Sequence, residues 1–310
     1  MEIIKIGYNH SVTLSDEIVA TIGEFDGIHI AHQKLFKKTL ELAKAKNKKS
    51  AVITFDPHPD VVLGKNSYVL LSDIDKVNII CKYEFDYLFI IEFDKDVLSM
   101  SHHDFVKKYL LTLNVTELVV GFDFKYGFKG IGNCDTLSSD SNGKINVTVI
   151  DEQLVEQNKI GSSYIKKLLT NGSIKDANKL LGRFFKLSGY IIHGKNVGEK
   201  INVPTANLKI DYNSAILKQG VYAGYCYVKG EKYNAICNIG HNPSFNYRLD
   251  LSYEIHILDT CFKEKIYDEF VELELVEYLR EEVVFPNITE FQNQIAVDKK
   301  TAISILNNAL

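Results

Sequence analysis

A chain of 310 residues is long enough for two domains, and its 45% hydrophobic and 25% charged residues are typical of a globular protein. The formal net charge of −4 gives no basic excess that would point to a nucleic-acid partner. No apolar run approaches the roughly 18 residues of a transmembrane helix, and the N-terminal stretch MEIIKIGYNH lacks the pattern of a signal peptide. Five scattered cysteines without a Cys-x-x-Cys pair favour a reducing, cytoplasmic location over a disulfide framework or a structural zinc site.

The first half of the chain alternates buried strands with helical patterns. Amphipathic segments such as HQKLFKKTLELAKAKN place Phe36, Leu40 and Ala43 on one face, with lysines opposite. Strand–helix–strand order at this spacing predicts a doubly wound α/β fold with a parallel sheet. Runs rich in Val, Ile and Phe predict its strands at 17–23, 50–55, 87–93, 117–122 and 145–150.

The pattern changes near residue 184. Short segments rich in Tyr, Val and Ile, several of them alternating, predict antiparallel strands in a sandwich or a barrel. A helical pattern covers about 289–310. No Gly/Ser-rich tether separates the halves, so we expect two domains, 1–182 and 183–310, joined by packed helices.

Two histidines, His29 and His32, lie between the predicted strand at 17–23 and the helix that follows it. Ligands bind at the carboxyl edge of open α/β sheets, and helix N-termini favour phosphate, so the pair can hold a triphosphate there. The alternatives are two surface histidines without a function, or a zinc site for which the sequence offers no obvious third ligand.

The motif around these histidines, GEFDGIHIAHQ, resembles the His-x-Gly-His signature of nucleotidyltransferases, and most closely the opening motif of prokaryotic bifunctional riboflavin kinase/FAD synthetases. The resemblance extends over almost the whole chain. It continues in chain order through TFDPHP, LVVGFDFKYG, IGSSYIKKLL, GKNVGEKINVPTANL, GVYAG, NIGHNPSF, YEIHILD and YLREEVVF.

The resemblance implies that an N-terminal, Rossmann-like nucleotidyltransferase domain transfers the adenylyl group of ATP to FMN, giving FAD and pyrophosphate. In that interpretation His29 and His32 are catalytic and hold the ATP phosphates. The nucleotide and phosphates are also bound by Gly23, Phe25, Asp26, Ser162, Ser163 and Lys166. The flavin is bound near Pro57, His58 and Asp123.

The resemblance further implies that the second domain is an antiparallel β-barrel with a C-terminal helix, which phosphorylates riboflavin with ATP and Mg²⁺. Thr205 and Asn207 would bind the metal, because oxygen ligands suit this hard cation. Glu254 would be the general base for the ribityl hydroxyl. Arg280 would contact the flavin, and ATP phosphates would be bound by Gly194, Gly198 and Lys200.

Several positions depart from the family pattern, mainly in the adenylyltransferase motifs. Ala31 replaces a glycine, Glu24 replaces an asparagine and Gly130 replaces an arginine. Lys166 replaces an arginine and loses its bidentate fork. Because the motifs of both domains are nevertheless present, we expect a bifunctional enzyme. Its predicted partners are small molecules only, namely ATP, riboflavin and FMN. The alternatives are a riboflavin kinase with a weak or inactive adenylyltransferase, and a non-catalytic flavin-binding protein.

Overall fold

The computed structural model describes two compact units, Met1–Ser67 with Asp73–Ser162 and Tyr68–Ser72 with Ser163–Leu310. The second unit includes the helical region before residue 182, which the sequence-based boundary assigns to the first domain. The residues that the structure describes are 1–9, 12–65, 68–155, 158–192, 205–241, 251–258 and 266–309.

A parallel sheet forms the centre of the first unit, as the sequence predicts. In the part of this unit that the structure describes, the sheet has six strands in the order β1-β4-β3-β2-β5-β8. β2 is buried along its whole length, which explains its unbroken apolar sequence. The strands of this unit are β1 (Glu2–Ile6), β2 (Ile18–Ile22), β3 (Lys49–Asp56), β4 (Tyr87–Glu92), β5 (Val115–Gly121), β6 (Lys125–Tyr126), β7 (Gly132–Asn133), β8 (Asn146–Ile150), β9 (Leu154–Val155) and β10 (Asn158–Lys159).

Helices connect these strands and cover the sheet. The longest of them in the first unit buries Leu35, Phe36, Thr39 and Ala43, and it ends at Asn47, whose left-handed backbone (φ 52°) closes the last turn. A π-helical segment, Val106–Leu111, continues the fifth helix. The helices are α1 (Ile30–Lys46), α2 (Pro59–Val62), α3 (Asp73–Cys81), α4 (Lys95–Ser99), α5 (His102–Phe105) and α6 (Cys134–Asp140), with a short 3₁₀ turn at Phe128–Gly130.

The second unit contains a barrel rather than a sandwich, the two architectures that the residue pattern left open. Among its described residues, six antiparallel strands close in the order β11-β12-β15-β14-β13-β16. These strands are β11 (Phe185–Ile192), β12 (Ala206–Lys209), β13 (Gly220–Val228), β14 (Glu231–His241), β15 (Leu251–Ile257) and β16 (Phe270–Arg280). Its helices are α7 (Ser162–Thr170), α8 (Ile174–Leu181) and α9 (Ile288–Leu306).

Two helices pack on the barrel. On α8, the buried Asn178 accepts a hydrogen bond from Phe185 N (2.7 Å) and donates one to Leu275 O (2.9 Å), which joins the helix to β11 and β16. From α9, Ala302 and Leu306 enter the cluster of buried side chains on the barrel. No helix among the described residues is both long and apolar enough to cross a membrane.

Candidate active sites

The loop between β2 and α1, residues 23–29, lies where the strand order of the parallel sheet reverses. β2 pairs with β3 on one side and with β5 on the other, although β5 comes later in the chain. The carboxyl ends of β2 and β5 therefore flank a topological switch point, the usual ligand crevice of open α/β sheets. We call residues 23–29 the nucleotide loop.

His29 and His32 lie side by side at the end of this loop. Their rings stack with centroids 3.6 Å apart and an interplanar angle of 19°. His29 caps α1, because its Nδ1 accepts a hydrogen bond from the His32 backbone N (3.4 Å). A neutral His29 bonded in this way carries its proton on Nε2. The sequence prediction that these histidines come together at a helix start is confirmed.

His32 is held in its neutral form. Burial, together with the adjacent His29, lowers the pKa of His32 well below its usual value of 6.5. At neutral pH the imidazole therefore offers one N–H donor and one acceptor rather than a positive charge. The pair can accordingly act on phosphate oxygens by hydrogen bonding, without two charged rings stacked on each other.

The backbone of the nucleotide loop is tightly constrained. Phe25 (φ 51°) and Ile28 (φ 39°) have left-handed conformations that are costly for residues with a side chain. The Phe25 ring is only 1% exposed, and it makes edge contacts with His32 (5.3 Å between centroids) and Phe36 (4.9 Å). A Cβ at Gly23 would lie 3.1 Å from the Phe25 ring. Buried aromatic packing thus fixes the loop that carries His29 and holds it against His32 of α1.

One further predicted residue, Ser162 at the start of α7, contacts this loop and belongs to the first unit. Ser162 Oγ donates a hydrogen bond to the carbonyl oxygen of Asp26 (2.7 Å), and the Asp26 side chain is buried. Ser163 is exposed and Lys166 is half-buried further along the same helix. The roles of Ser163 and Lys166 in phosphate binding stay predictions.

Glu24 and His58 form an ion pair that the sequence did not predict. His58 Nε2 lies 3.0 Å from Glu24 Oε2, while His58 Nδ1 accepts from Asp60 N (3.2 Å) at the start of α2. Burial disfavours protonation of His58, but the hydrogen bond and charge of Glu24, with Asp26 and Asp60, outweigh it and raise the pKa. Protonated His58 therefore offsets the negative charge that Glu24 brings to the nucleotide loop.

Asp123 follows β5, across the switch point from the nucleotide loop. Its carboxylate pairs with Lys159 (2.5 Å), and Lys159 Nζ also lies 4.6 Å from the centre of the Phe122 ring. Asp123 is largely exposed. Pro57, the other predicted flavin residue, lies between β3 and the start of α2.

In the barrel, strand pairing brings three polar residues together. Asn207 of β12 is directly opposite Glu254 of β15, and Glu254 is directly opposite Asn238 of β14. Residues at directly paired positions project on the same face of a sheet. We call Asn207, Glu254 and Asn238 the polar row. Asn207, one of the two predicted metal ligands, thus lies beside the predicted base, and the other, Thr205, is exposed and comes immediately before β12.

The carboxylate of Glu254 is half-buried. Burial, with a further contribution from the negative charge of Glu282, raises the pKa of Glu254 above its usual value. Asn238 Nδ2 donates to Glu282 Oε1 (3.0 Å), which ties this acidic neighbour to the polar row. A carboxylate with a raised pKa is better matched to taking up a proton near neutral pH.

Arg280, at the end of β16, is held by the C-terminal helix. Its Nε and Nη2 contact both oxygens of the buried Asp298, at 2.7 to 3.0 Å. Its predicted contact with flavin therefore competes with a bidentate ion pair. The predicted phosphate residues Gly194, Gly198 and Lys200 lie outside the described residues.

Comparison with known proteins agrees with the division into two functional parts. The family model described as FAD synthetase matches residues 12–164, and the one described as riboflavin kinase matches residues 181–306. A bifunctional riboflavin kinase/FMN adenylyltransferase of Bacillus subtilis is 35% identical over 99% of this chain and 99% of its own length. The chain belongs to the bifunctional riboflavin kinase/FMN adenylyltransferase family.

Two further relatives extend this likeness. A protein of the same name from Listeria monocytogenes is 35% identical over 96% of both chains. A crystal structure described as a macrolide-efflux protein from Streptococcus pneumoniae superposes with a TM-score of 0.88, at 26% identity, over 97% of this chain and 99% of its own. The nucleotidyltransferase-plus-barrel architecture predicted from the family motifs is confirmed.

Sequence reasoning missed the partners of the family residues. Asn238 lies within the quoted motif NIGHNPSF, but only the pairing of β14 with β15 places it beside Glu254. Asp298 faces Arg280 from a helix 18 positions further along the chain. No signal in the sequence linked Glu24 with His58.

Proposed function

We propose that this chain phosphorylates riboflavin with ATP to give FMN, and then joins FMN to the adenylyl group of a second ATP to give FAD and pyrophosphate. The observation that carries the proposal is full-length similarity to bifunctional relatives in a chain whose structure has both the stacked histidines and the polar row. The domain boundary between residues 182 and 183 is kept as part of the proposal, supported by family matches that end at 164 and begin at 181.

In the kinase reaction, Glu254 acts as the general base. It takes the proton of the terminal ribityl hydroxyl while that oxygen attacks the γ-phosphorus of ATP and ADP departs. Its raised pKa follows from burial and keeps the carboxylate suited to this transfer. Asn207 and Asn238, on either side of Glu254, are placed to orient the carboxylate or the substrate.

A magnesium ion fits the donor groups next to this base. The Thr205 hydroxyl and the Asn207 amide supply hard oxygen ligands, and they would hold the ion together with the ATP phosphates. When bound, Mg²⁺ neutralises charge on the phosphates. Mg²⁺ dependence of the kinase is thus part of the proposal.

In the adenylyl transfer, a phosphate oxygen of FMN attacks the α-phosphorus of ATP and pyrophosphate leaves. His29 and His32 act as hydrogen-bond donors to the phosphate oxygens as charge moves to the leaving group. The constrained nucleotide loop holds the imidazoles in place before substrate arrives, so little reorganisation is needed during the reaction.

A second candidate is a riboflavin kinase whose adenylyltransferase site is weak. Three substitutions at family positions favour it, namely Ala31, Gly130 and Lys166. The two candidates differ in their products. Incubation with riboflavin, ATP and Mg²⁺, followed by chromatography of the flavins, is expected to give FAD. FMN alone would favour the second candidate, and no product would indicate a non-catalytic flavin-binding protein.

The cytoplasmic location and the lack of an obligate protein partner stay predictions.

A further inference from the structure

A second group of histidines lies in the first unit, outside the nucleotide loop. His102 and His103 begin α5, and Asp140 is the last residue of α6. His102 Nδ1 is 2.6 Å from Asp140 Oδ2, and His103 Nδ1 is 2.8 Å from Asp140 Oδ1. One ligand atom from each of the three residues can be chosen so that all lie within 4.8 Å of one another. Neither proposed reaction uses them.

The Asp140 carboxylate of this cluster is buried and is held by a hydrogen bond from a tyrosine. The Asp140 side chain is 1% exposed, and Tyr126 Oη donates to its Oδ2 (2.6 Å). Such support of a ligating carboxylate is a common feature of protein metal sites.

The two imidazoles leave the cluster open to solvent. The His102 side chain is 23% exposed and the His103 side chain is 66% exposed, so solvent reaches both imidazoles, while their Nδ1 atoms face the buried carboxylate. The backbone beneath them is closely packed, since a Cβ at Gly127 would lie 2.6 Å from His102 Cα. A buried carboxylate, a closely packed backbone and two partly exposed imidazoles therefore give an arrangement of three ligands at the protein surface.

We propose that His102, His103 and Asp140 bind a divalent transition-metal ion of the zinc class. Two imidazole nitrogens and one carboxylate oxygen suit such borderline ions, whereas Mg²⁺ prefers oxygen ligands alone. Ligand atoms around a tetrahedral ion lie about 3.3 Å apart, given metal–ligand lengths of about 2.0 Å, so each Nδ1 moves slightly away from its carboxylate oxygen when the ion binds. Each imidazole then binds as the neutral ring, with the ion on Nδ1 and its one proton on Nε2. The ion joins the start of α5 to the end of α6, 38 positions later, and stabilises the first unit.

The test titrates Zn²⁺ into the full-length, chelator-treated protein by calorimetry, with Mg²⁺ in excess and without nucleotide. The wild type is expected to bind one equivalent at its tightest site and to unfold at a higher temperature with zinc. His103→Ala is expected to weaken that site at least about tenfold and to lose the thermal shift. His103 is exposed, so this variant should fold, which circular dichroism checks.

The matched control is His29→Asn/His32→Asn, which removes the other adjacent histidine pair and is expected to keep the zinc site. A Co²⁺ spectrum without a thiolate charge-transfer band is expected to exclude the cysteines as ligands. Failure of the wild type to bind zinc, unchanged affinity in His103→Ala, or loss of the site in the control alone would each overturn the proposal and leave the cluster as a hydrogen-bond network only.

Discussion

The nucleotide loop of the first unit and the polar row of the barrel hold their side chains in different ways. The loop depends on side-chain packing, because left-handed residues are kept in place by the buried Phe25 ring against His32 and Phe36. The polar row depends on backbone pairing, because the ladders of β12, β15 and β14 put Asn207, Glu254 and Asn238 opposite one another. The loop site should therefore be sensitive to core substitutions that the barrel site tolerates.

The largest expected effect is on FMN formation and comes from changing Glu254 in the polar row. Glu254→Gln removes the proposed base but keeps its shape, so FMN formation should fall about 10²- to 10⁴-fold. Conversion of added FMN to FAD should stay at the wild-type rate. Steady-state assays of both reactions measure this, with Glu231→Gln, an exposed residue of β14, as the control. An equal loss of both reactions in folded Glu254→Gln would contradict two separate sites.

On the loop side, His29→Ala removes one donor to the phosphates and should lower FAD formation about 10²- to 10³-fold. FMN formation from riboflavin should be unchanged. Lys37→Ala, exposed on α1, is the control for a general effect of altering this helix. Loss of kinase activity in folded His29→Ala would mean that both reactions depend on His29, which would contradict two separate active sites.

Phe25→Ala separates packing from chemistry in the nucleotide loop. Removing this 1% exposed ring should destabilise the first unit by about 3 kcal/mol and lower FAD formation, because the loop that carries His29 loses its support. Kinase activity at a temperature where the protein stays folded should be unchanged. Urea unfolding and the two assays measure these effects. Full adenylyltransferase activity in Phe25→Ala would show that packing does not position the histidines.

The smallest effect concerns pH, where two histidines of the first unit behave oppositely. The pKa of His58 is raised, so its pair with Glu24 stabilises the fold below pH 6.5, and this contribution disappears as pH rises through the higher folded-state pKa. The pKa of His32 is lowered, so its contribution is present above pH 6.5 and is lost as pH falls.

Glu24→Gln tests the His58 half of this contrast. The Glu24 side chain is 47% exposed, so solvent screening limits the pair to about 0.5 kcal/mol. The difference in melting temperature between wild type and variant should be greatest below pH 6.5 and disappear as pH rises through the raised pKa of His58. NMR titration of His58 should give a lower pKa in the variant. An unchanged His58 titration would show that the ion pair does not form in solution.

The sequence predicted the structure best where local pattern decides it. Apolar runs predict the buried strands β2 to β5 and also β8, but β8 is a half-exposed edge strand, so its predicted burial was wrong. The other edge strand, β1, was missed because its exposed pattern looks like a terminal segment. The residue pattern by itself did not separate a barrel from a sandwich, because closure depends on β11 pairing with both β12 and β16, and only the family resemblance implied the barrel.

The same limit applies to the sites. Motifs identified His29, His32, Asn207 and Glu254, each from its immediate neighbours in the chain. Their partners come from distant segments, as Asn238 does through strand register and Asp298 through the packing of α9. Local sequence therefore specifies the reacting groups, and tertiary structure specifies what surrounds them.

Mixing the two active-site variants tests the central claim most directly. Glu254→Gln alone should make neither FMN nor FAD from riboflavin, and His29→Ala alone should stop at FMN. An equimolar mixture with riboflavin, ATP and Mg²⁺ should produce FAD, because FMN made in the barrel of one molecule reaches the nucleotide loop of the other. A mixture that accumulates FMN without FAD, or makes no flavin product, would contradict the account.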